Sequence, residues 1–208
     1  DGLRVMVVKA ADGGAFSVGA DIREMLANKG DAEWLAANQA AISETQHRLA
    51  RCPIPTVAFI EGDCIGGGCG IALACDVRVG TAAARLGITP AKLGLVYPFH
   101  DLKLLNDLVG AGQAKRLLFS GDLLDAEEAM RIGLVELLAD DADTLASTIA
   151  RNSGSSNRVM KQMMRQLLDG KCSEDAITRQ MFADAFAGDD FLEGATAFAE
   201  KRQSKFTD

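Results

Sequence analysis

The sequence predicts a mixed α/β fold, and three observations predict it. Apolar runs at Val5 to Val8 and Thr56 to Ile60 have the length and composition of buried strands. Each leads into a glycine-containing turn and then into a helix-like stretch. Between them, residues 31 to 51 carry Leu35, Ile42 and Leu49 seven positions apart, the spacing of one buried helical stripe.

The most informative turn is Glu61 to Asp76. Gly66, Gly67 and Gly68 carry no side chains, so a ligand can approach the backbone closely. Ile71 to Cys75 continue apolar and read as a buried helix. The first N–H groups of a helix lack internal acceptors and lie at the positive end of its dipole, so a bare turn there suits a phosphate or an oxyanion. No Lys-Ser/Thr follows the glycines and the spacing is not Gly-x-Gly-x-x-Gly, which disfavours nucleotide binding. Glycines that merely permit tight helix packing are the alternative reading.

The remaining elements follow in order. Residues 22 to 29 read as a short helix with Asp21 as its cap. Pro53 and Pro55 end the long helix after it. Residues 76 to 81 read as a strand. Helices are expected over 101 to 110 and 114 to 119, and another after Asp125, with Glu128 completing a capping box. The acidic run Asp140 to Asp143 is expected to start a helix, and 152 to 156 to form a polar turn. Val159, Met160, Met163, Met164, Leu167 and Leu168 follow helical spacing, either as core or as a subunit contact. A last helix is expected through Phe191 to Arg202. The division expected is a core over 1–140 and a helical region over 141–208.

Composition narrows the function. The 208 residues suffice for a sizeable core, and 48% are hydrophobic. A net charge of −7 argues against a general nucleic-acid binder, an RNA-binding role included. No apolar run reaches membrane-spanning length. Five cysteines, at 52, 64, 69, 75 and 172, are read as reduced, buried thiols of a cytoplasmic protein. With only His47 and His100, no metal-ligand spacing appears and no metal is expected. His47 reads as a partly solvated surface residue.

Residues 15 to 25, with Phe16-Ser17-Val18-Gly19-Ala20-Asp21-Ile22, the glycine run at 66 to 68, the stretch 84 to 98 and the C-terminal segment from Phe191 together resemble the crotonase superfamily, the enoyl-CoA hydratase/isomerase family. The resemblance runs through nearly the whole chain, and it implies that residues 84 to 98 are a strand leading into a loop that ends at Gly94. It implies a crotonase-like fold of repeated ββα units with a helical C-terminal region, assembled as a homotrimer or a dimer of trimers. It implies an acyl-CoA substrate, with coenzyme A as part of that substrate and no tightly bound cofactor. A strand and helix that precede this point in the family have no counterpart in the sequence, and part of the CoA contacts is expected to be missing with them.

The family's two oxyanion-stabilising amides fall on Val18 and Gly67. Loss of one such donor costs about 3 kcal/mol of transition-state stabilisation. Gly19, Ala20 and Asp21 match its substrate-binding strip, although Asp21 also reads as a helix cap. Its hydratases use two glutamates, and here those positions are Gly70 and Pro90. Neither side chain transfers a proton, a loss of about 100- to 10,000-fold in rate. Thr89, Pro90 and Tyr97 bear a partial likeness to methylmalonyl-CoA decarboxylase, where the matching tyrosine lies in the acyl pocket; the alternative for Tyr97 is a packing residue with its hydroxyl satisfied. That enzyme has a histidine at the Ala20 position and a glutamate at the Gly70 position. His100, followed by Asp101, is expected either to face the same pocket as a proton source or to start a helix in solvent. Phe198 and Lys201 are expected on one helical face, against the adenine ring and phosphate of CoA. Cys64 and Cys69 beside the glycine turn read as inert packing. The reaction expected is a lyase, decarboxylase-like or isomerase step; the rival is a non-catalytic acyl-CoA-binding or assembly protein on the same fold.

Overall fold

The computed structural model describes residues 2–207. The chain forms two compact units. One comprises residues 7–51 and 57–142; the other gathers the residues up to Met6, residues 52–56 and everything from Asp143 onward.

The first unit holds the two sheets and the glycine turn. After β1 (Met6–Val8) come α1 (Ile22–Ala27) and α2 (Ala32–Ala50). Two ββα passages follow: β2 (Thr56–Ile60), β3 (Asp63–Ile65) and α3 (Gly67–Ala74), then β4 (Val77–Gly80), β5 (Arg85–Gly87) and α4 (Phe99–Ser120). The unit ends with β6 (Leu123–Asp125), α5 (Ala126–Arg131) and β7 (Leu137–Leu138). One sheet has the order β1-β2-β4-β7 and the other β3-β5-β6. β2 runs parallel to β4, with Val57 opposite Val77, and β3 runs parallel to β5, with Cys64 opposite Leu86. Every residue of β2 is buried, which is why its sequence is an unbroken apolar run rather than an alternating one.

Local chemistry sets the helix ends. Asp21 caps α1, accepting from the N–H groups of Arg23 (2.8 Å) and Glu24 (3.3 Å). Asp31 does the same for α2. A short 3-10 helix, Pro90–Leu93, stops at Gly94 in the left-handed conformation. The helices expected over 101–110 and 114–119 abut as α4, broken at Gly110 (φ 74°, ψ 160°). Buried Arg78 donates through Nη1 to the carbonyls of Cys75 (3.0 Å) and Ala72 (3.4 Å) and pairs with Glu136, satisfying the end of α3.

Several expectations need correction. Of the α2 stripe, Leu35 is exposed, and the fully buried positions are Gln46 and Ala50. Asp125 caps α5 through the Glu128 N–H (2.9 Å), but the Glu128 carboxylate pairs with Arg116 and Arg131, so only half of the capping box forms. Cys64, Cys69 and Cys75 are buried, whereas Cys52 is half-buried and Cys172 exposed.

The other unit contains α6 (Asp143–Arg151), α7 (Gly154–Leu168), α8 (Ala176–Ala187) and α9 (Asp189–Ala199). The polar turn expected over 152–156 is shorter, because Ser153 caps α7 by accepting from Ser156 N–H at 2.9 Å. Met160, Met164 and Leu167 on α7 are more than half exposed, so the methionine stripe is not core within this chain.

α9 ends at Ala199, earlier than expected. Lys201 N–H donates to Phe198 O (3.2 Å) and Arg202 N–H to Ala197 O (3.0 Å), a Schellman closure. Lys201 takes φ 54° there, so Phe198 and Lys201 do not share a helical face as expected. The tail is then held by Glu193, which pairs with Arg202 at 2.6 and 2.8 Å. That pairing keeps the Glu193 carboxyl down at about 2.

A left-handed lysine is strained where glycine would be free. Lys201→Gly is expected to raise the free energy of unfolding by about 1 kcal/mol in a urea titration.

Candidate active site

The site is assembled where the residue 17–20 turn meets the start of α3. Ser17 is anchored on β3: its N–H donates to Asp63 O (3.2 Å) and its carbonyl accepts from Ile65 N–H (2.8 Å). Gly19 follows at φ 92°, its N–H on Ser17 Oγ at 3.3 Å. On the other side, Gly66 is pinned by its N–H to Gly87 O (2.8 Å) and takes φ 58°, ψ −116° as the cap of α3.

The two turns touch. A methyl group built on Gly19 would lie 3.0 Å from the Gly67 nitrogen, and one on Gly68 would lie 2.1 Å from Ser17 O. Only glycine at 68 allows this approach, since real Cβ atoms do not come that close to a carbonyl oxygen. Among the described residues, neither Val18 N–H nor Gly67 N–H has an acceptor within the protein. Gly67 holds the first position of α3, where an N–H has no intrahelical partner. Both residues are exposed.

A cavity of about 350 Å³ adjoins this junction. Ser17, Gly19 and Ala20 line it from the turn, Ala41, Ile42, Thr45 and Gln46 from α2, and Gly67 and Ile71 from α3. No carboxylate, histidine or lysine is among the lining residues.

The other candidate residues are placed as follows. Asp21 is engaged as the cap of α1 and does not line the cavity. Thr89 Oγ1 lies 3.6 Å from where a Gly66 Cβ would stand. Pro90 starts the 3-10 helix. Tyr97 is buried, donates to Gly66 O at 3.3 Å and does not line the cavity. Burial, helped by Cys69 and Asp101, pushes its phenol well above its ordinary value, so Tyr97 stays neutral and braces the glycine turn. Cys69 Sγ lies 2.8 Å from Cys64 O. The Cys69 hydrogen bond and burial hold the Cys64 thiol well up, as inert packing requires. Phe198 is 86% exposed, and both it and Lys201 belong to the helical unit.

The position-70 neighbourhood was only partly foreseen. A Cβ on Gly70 would meet Gln46 Nε2 at 2.3 Å and Asp101 Oδ2 at 2.4 Å, so the space is already filled. Gln46 Nε2 donates to Asp101 Oδ2 at 2.9 Å. His100 Nδ1 stands 3.4 Å from Asp101 Oδ1, and the His47 and His100 rings are 5.6 Å apart. Burial raises the Asp101 carboxyl above its ordinary 3.8, opposed by hydrogen bonds from His100 and Gln46. Asp101 was visible in sequence only as the neighbour of His100. Gln46 gave no signal beyond its place between Ile42 and Leu49.

The enoyl-CoA hydratase/isomerase family pattern matches residues 1–208, and the chain belongs to that family, within the crotonase superfamily. It is 36% identical over 200 residues to a Mycobacterium tuberculosis protein bearing the name enoyl-CoA hydratase, covering 93% of this chain and 76% of that one. It is 31% identical over 207 residues to the short-chain-enoyl-CoA hydratase of Clostridium acetobutylicum, covering 95% and 78%. The crystal structure of an enoyl-CoA hydratase/isomerase family protein from Hyphomonas neptunium superposes with a TM-score of 0.92 at 37% identity, covering 98% of this chain and 80% of that one. Among the described residues no helix is long and apolar enough to cross a membrane.

The raised Asp101 value fixes the sign of a pH effect. The native chain keeps this proton to higher pH than the unfolded chain. Asp101's contribution to stability is therefore full below the ordinary value of 3.8 and is lost as pH rises through the raised native value. The stability of the natural protein relative to Asp101→Asn is expected to fall in urea titrations as pH rises above the ordinary value of 3.8. A difference that grows with pH would contradict the assignment.

Proposed function

We propose that this chain is an acyl-CoA-processing enzyme, a lyase or isomerase, that holds a thioester carbonyl oxygen between the N–H groups of Val18 and Gly67. The observation that carries the reading is the pair of backbone donors without acceptors on two touching turns beside a largely apolar cavity. Heterolysis of a bond at the carbon next to the thioester carbonyl leaves an electron pair that delocalises onto that oxygen. Fixed backbone donors meet the resulting charge without having to reorganise.

Two-glutamate hydration does not fit these residues, because Gly70 and Pro90 stand in the glutamates' places. Decarboxylation would generate the enolate without a base, but His100, the proton source that idea needs, is not among the residues lining the cavity. The Tyr97 part of that idea loses support from the placement of its hydroxyl on Gly66. Coenzyme A enters as part of the substrate, with Gly19, Ala20 and Thr89 near the acyl end. The assembly attached to this reading is a homotrimer or dimer of trimers. The absence of an ionisable side chain from the cavity lining favours one rival, a protein that binds acyl-CoA without turnover.

The test is a panel of enoyl-, hydroxyacyl- and malonyl-type CoA thioesters with products read by mass spectrometry. Proline is tolerated at the first helical position, so Gly67→Pro removes the donor while α3 survives. Its kcat is expected to fall about 100- to 1,000-fold. Gly67→Ala keeps the N–H, places its Cβ 3.4 Å from Gly19 Cα and is expected to retain activity. Equal activity of the two variants would exclude the oxyanion role, and binding without any product would favour the rival.

A further inference from the structure

The helical unit holds a second cavity, of about 400 Å³, which the acyl-CoA reading does not use. Ala185 of α8 and Gly194 and Ala195 of α9 line it with almost no side chain, which leaves the space open. Phenylalanine rings supply the apolar wall. The Phe186 ring lies 4.5 Å from that of Phe191 and 6.5 Å from that of Phe182, within 25° and 20° of parallel. Phe182 and Phe186 are more than half exposed, and Phe191 is nearly half exposed. Soluble proteins rarely leave a contiguous cluster of this kind open without a binding role.

Among the residues that line this cavity, Asp190 alone is charged. Its Oδ2 accepts from the hydroxyl of buried Ser153, which in turn accepts from Ser156 N–H at the start of α7. The carboxylate is therefore fixed by a helix cap. Its Oδ1 has no partner within the protein and is not shut off from solvent. No lysine, arginine or histidine lines the cavity to balance it. An acid in the first turn of α9 does offset the helix dipole, but that accounts for neither the space nor the exposed rings.

We propose that this cavity binds a small organic cation, a protonated amine with an apolar body. The ammonium donates to Asp190 Oδ1, and the apolar body covers Phe182, Phe186 and Phe191. Ring faces carry partial negative charge, so the rings and the carboxylate favour the same sign of ligand. A neutral ligand of the same shape would cover the rings but leave the carboxylate without a counter-charge, and an anion would be repelled. The site is separate from the oxyanion turns and does not depend on the acyl-CoA reading.

The experiment uses the full chain and ligand-observed NMR titrations with probes of one shape: 3-phenylpropylammonium, 3-phenylpropanol and 3-phenylpropionate. The cation is expected to bind about tenfold more tightly than the alcohol, the size of one hydrogen bond to a charged group. The carboxylate probe is expected to bind more weakly than the alcohol. Asp190→Asn keeps the volume and the ring wall and can still accept from Ser153, so it is expected to bring cation and alcohol within about twofold of each other. Ala195→Phe fills the space and is expected to abolish binding of all the probes.

A cation that binds no more tightly than the alcohol would overturn the proposal. So would a preference that survives Asp190→Asn, or binding that survives Ala195→Phe. Failure of every probe to bind would also overturn it. If Phe182→Asp then lowered the mass seen in sedimentation equilibrium, the rings would be assigned to contact with a second copy of the chain.

Discussion

The approach of Ser17 O to Gly68 is the contact on which the rest of the site depends. A Cβ at position 68 would stand 2.1 Å from that oxygen, so the chain either has glycine there or keeps its two turns apart. The turns are driven together from both sides. Ser17 is bound to β3 in register with Cys64, and Gly66 is tied to Gly87 at the end of β5. Because β3 and β5 are themselves paired, one small parallel ladder sets the position of both turns. Their free amides thus sit on a scaffold of backbone hydrogen bonds rather than on mobile side chains.

In the proposed reading, charge stabilisation falls to Val18 and Gly67 through the backbone, which makes the identity of the residue at 18 secondary. The region around Gly70 is supplied by Gln46 of α2 and Asp101 of α4, and Tyr97 braces the glycine turn from behind. Burial works on Tyr97 and Asp101 in the same direction, favouring the protonated form of each. The two differ in supply of partners: Asp101 has Gln46 and His100 to offset burial, while Tyr97 has a single carbonyl to donate to.

The sequence disclosed features governed by neighbours along the chain. The buried strand at Thr56–Ile60, the bare turn after it and the Asp21 cap follow from local composition. Features governed by distant partners were hidden. Gln46 and Asp101 are 55 positions apart, and nothing in either segment announces their pairing. The end of α9 was misplaced for another reason: the usual glycine signal is absent, and Lys201 adopts the conformation regardless. The Glu128 capping box failed because Arg116 and Arg131 compete for the same carboxylate. Leu35 at the start of α2 obeys the helical period yet stays exposed, since period alone does not say where along a helix the core begins.

The central claim is that two main-chain amides polarise one thioester carbonyl. The most direct measurement is isotope-edited vibrational spectroscopy of acetyl-CoA, labelled with carbon-13 at the carbonyl and bound at saturation to the full chain. Two fixed hydrogen bonds onto one oxygen predict a carbonyl stretch lower than that of the free ligand in solution. Saturated binding with the stretch at or above its solution frequency would contradict the account.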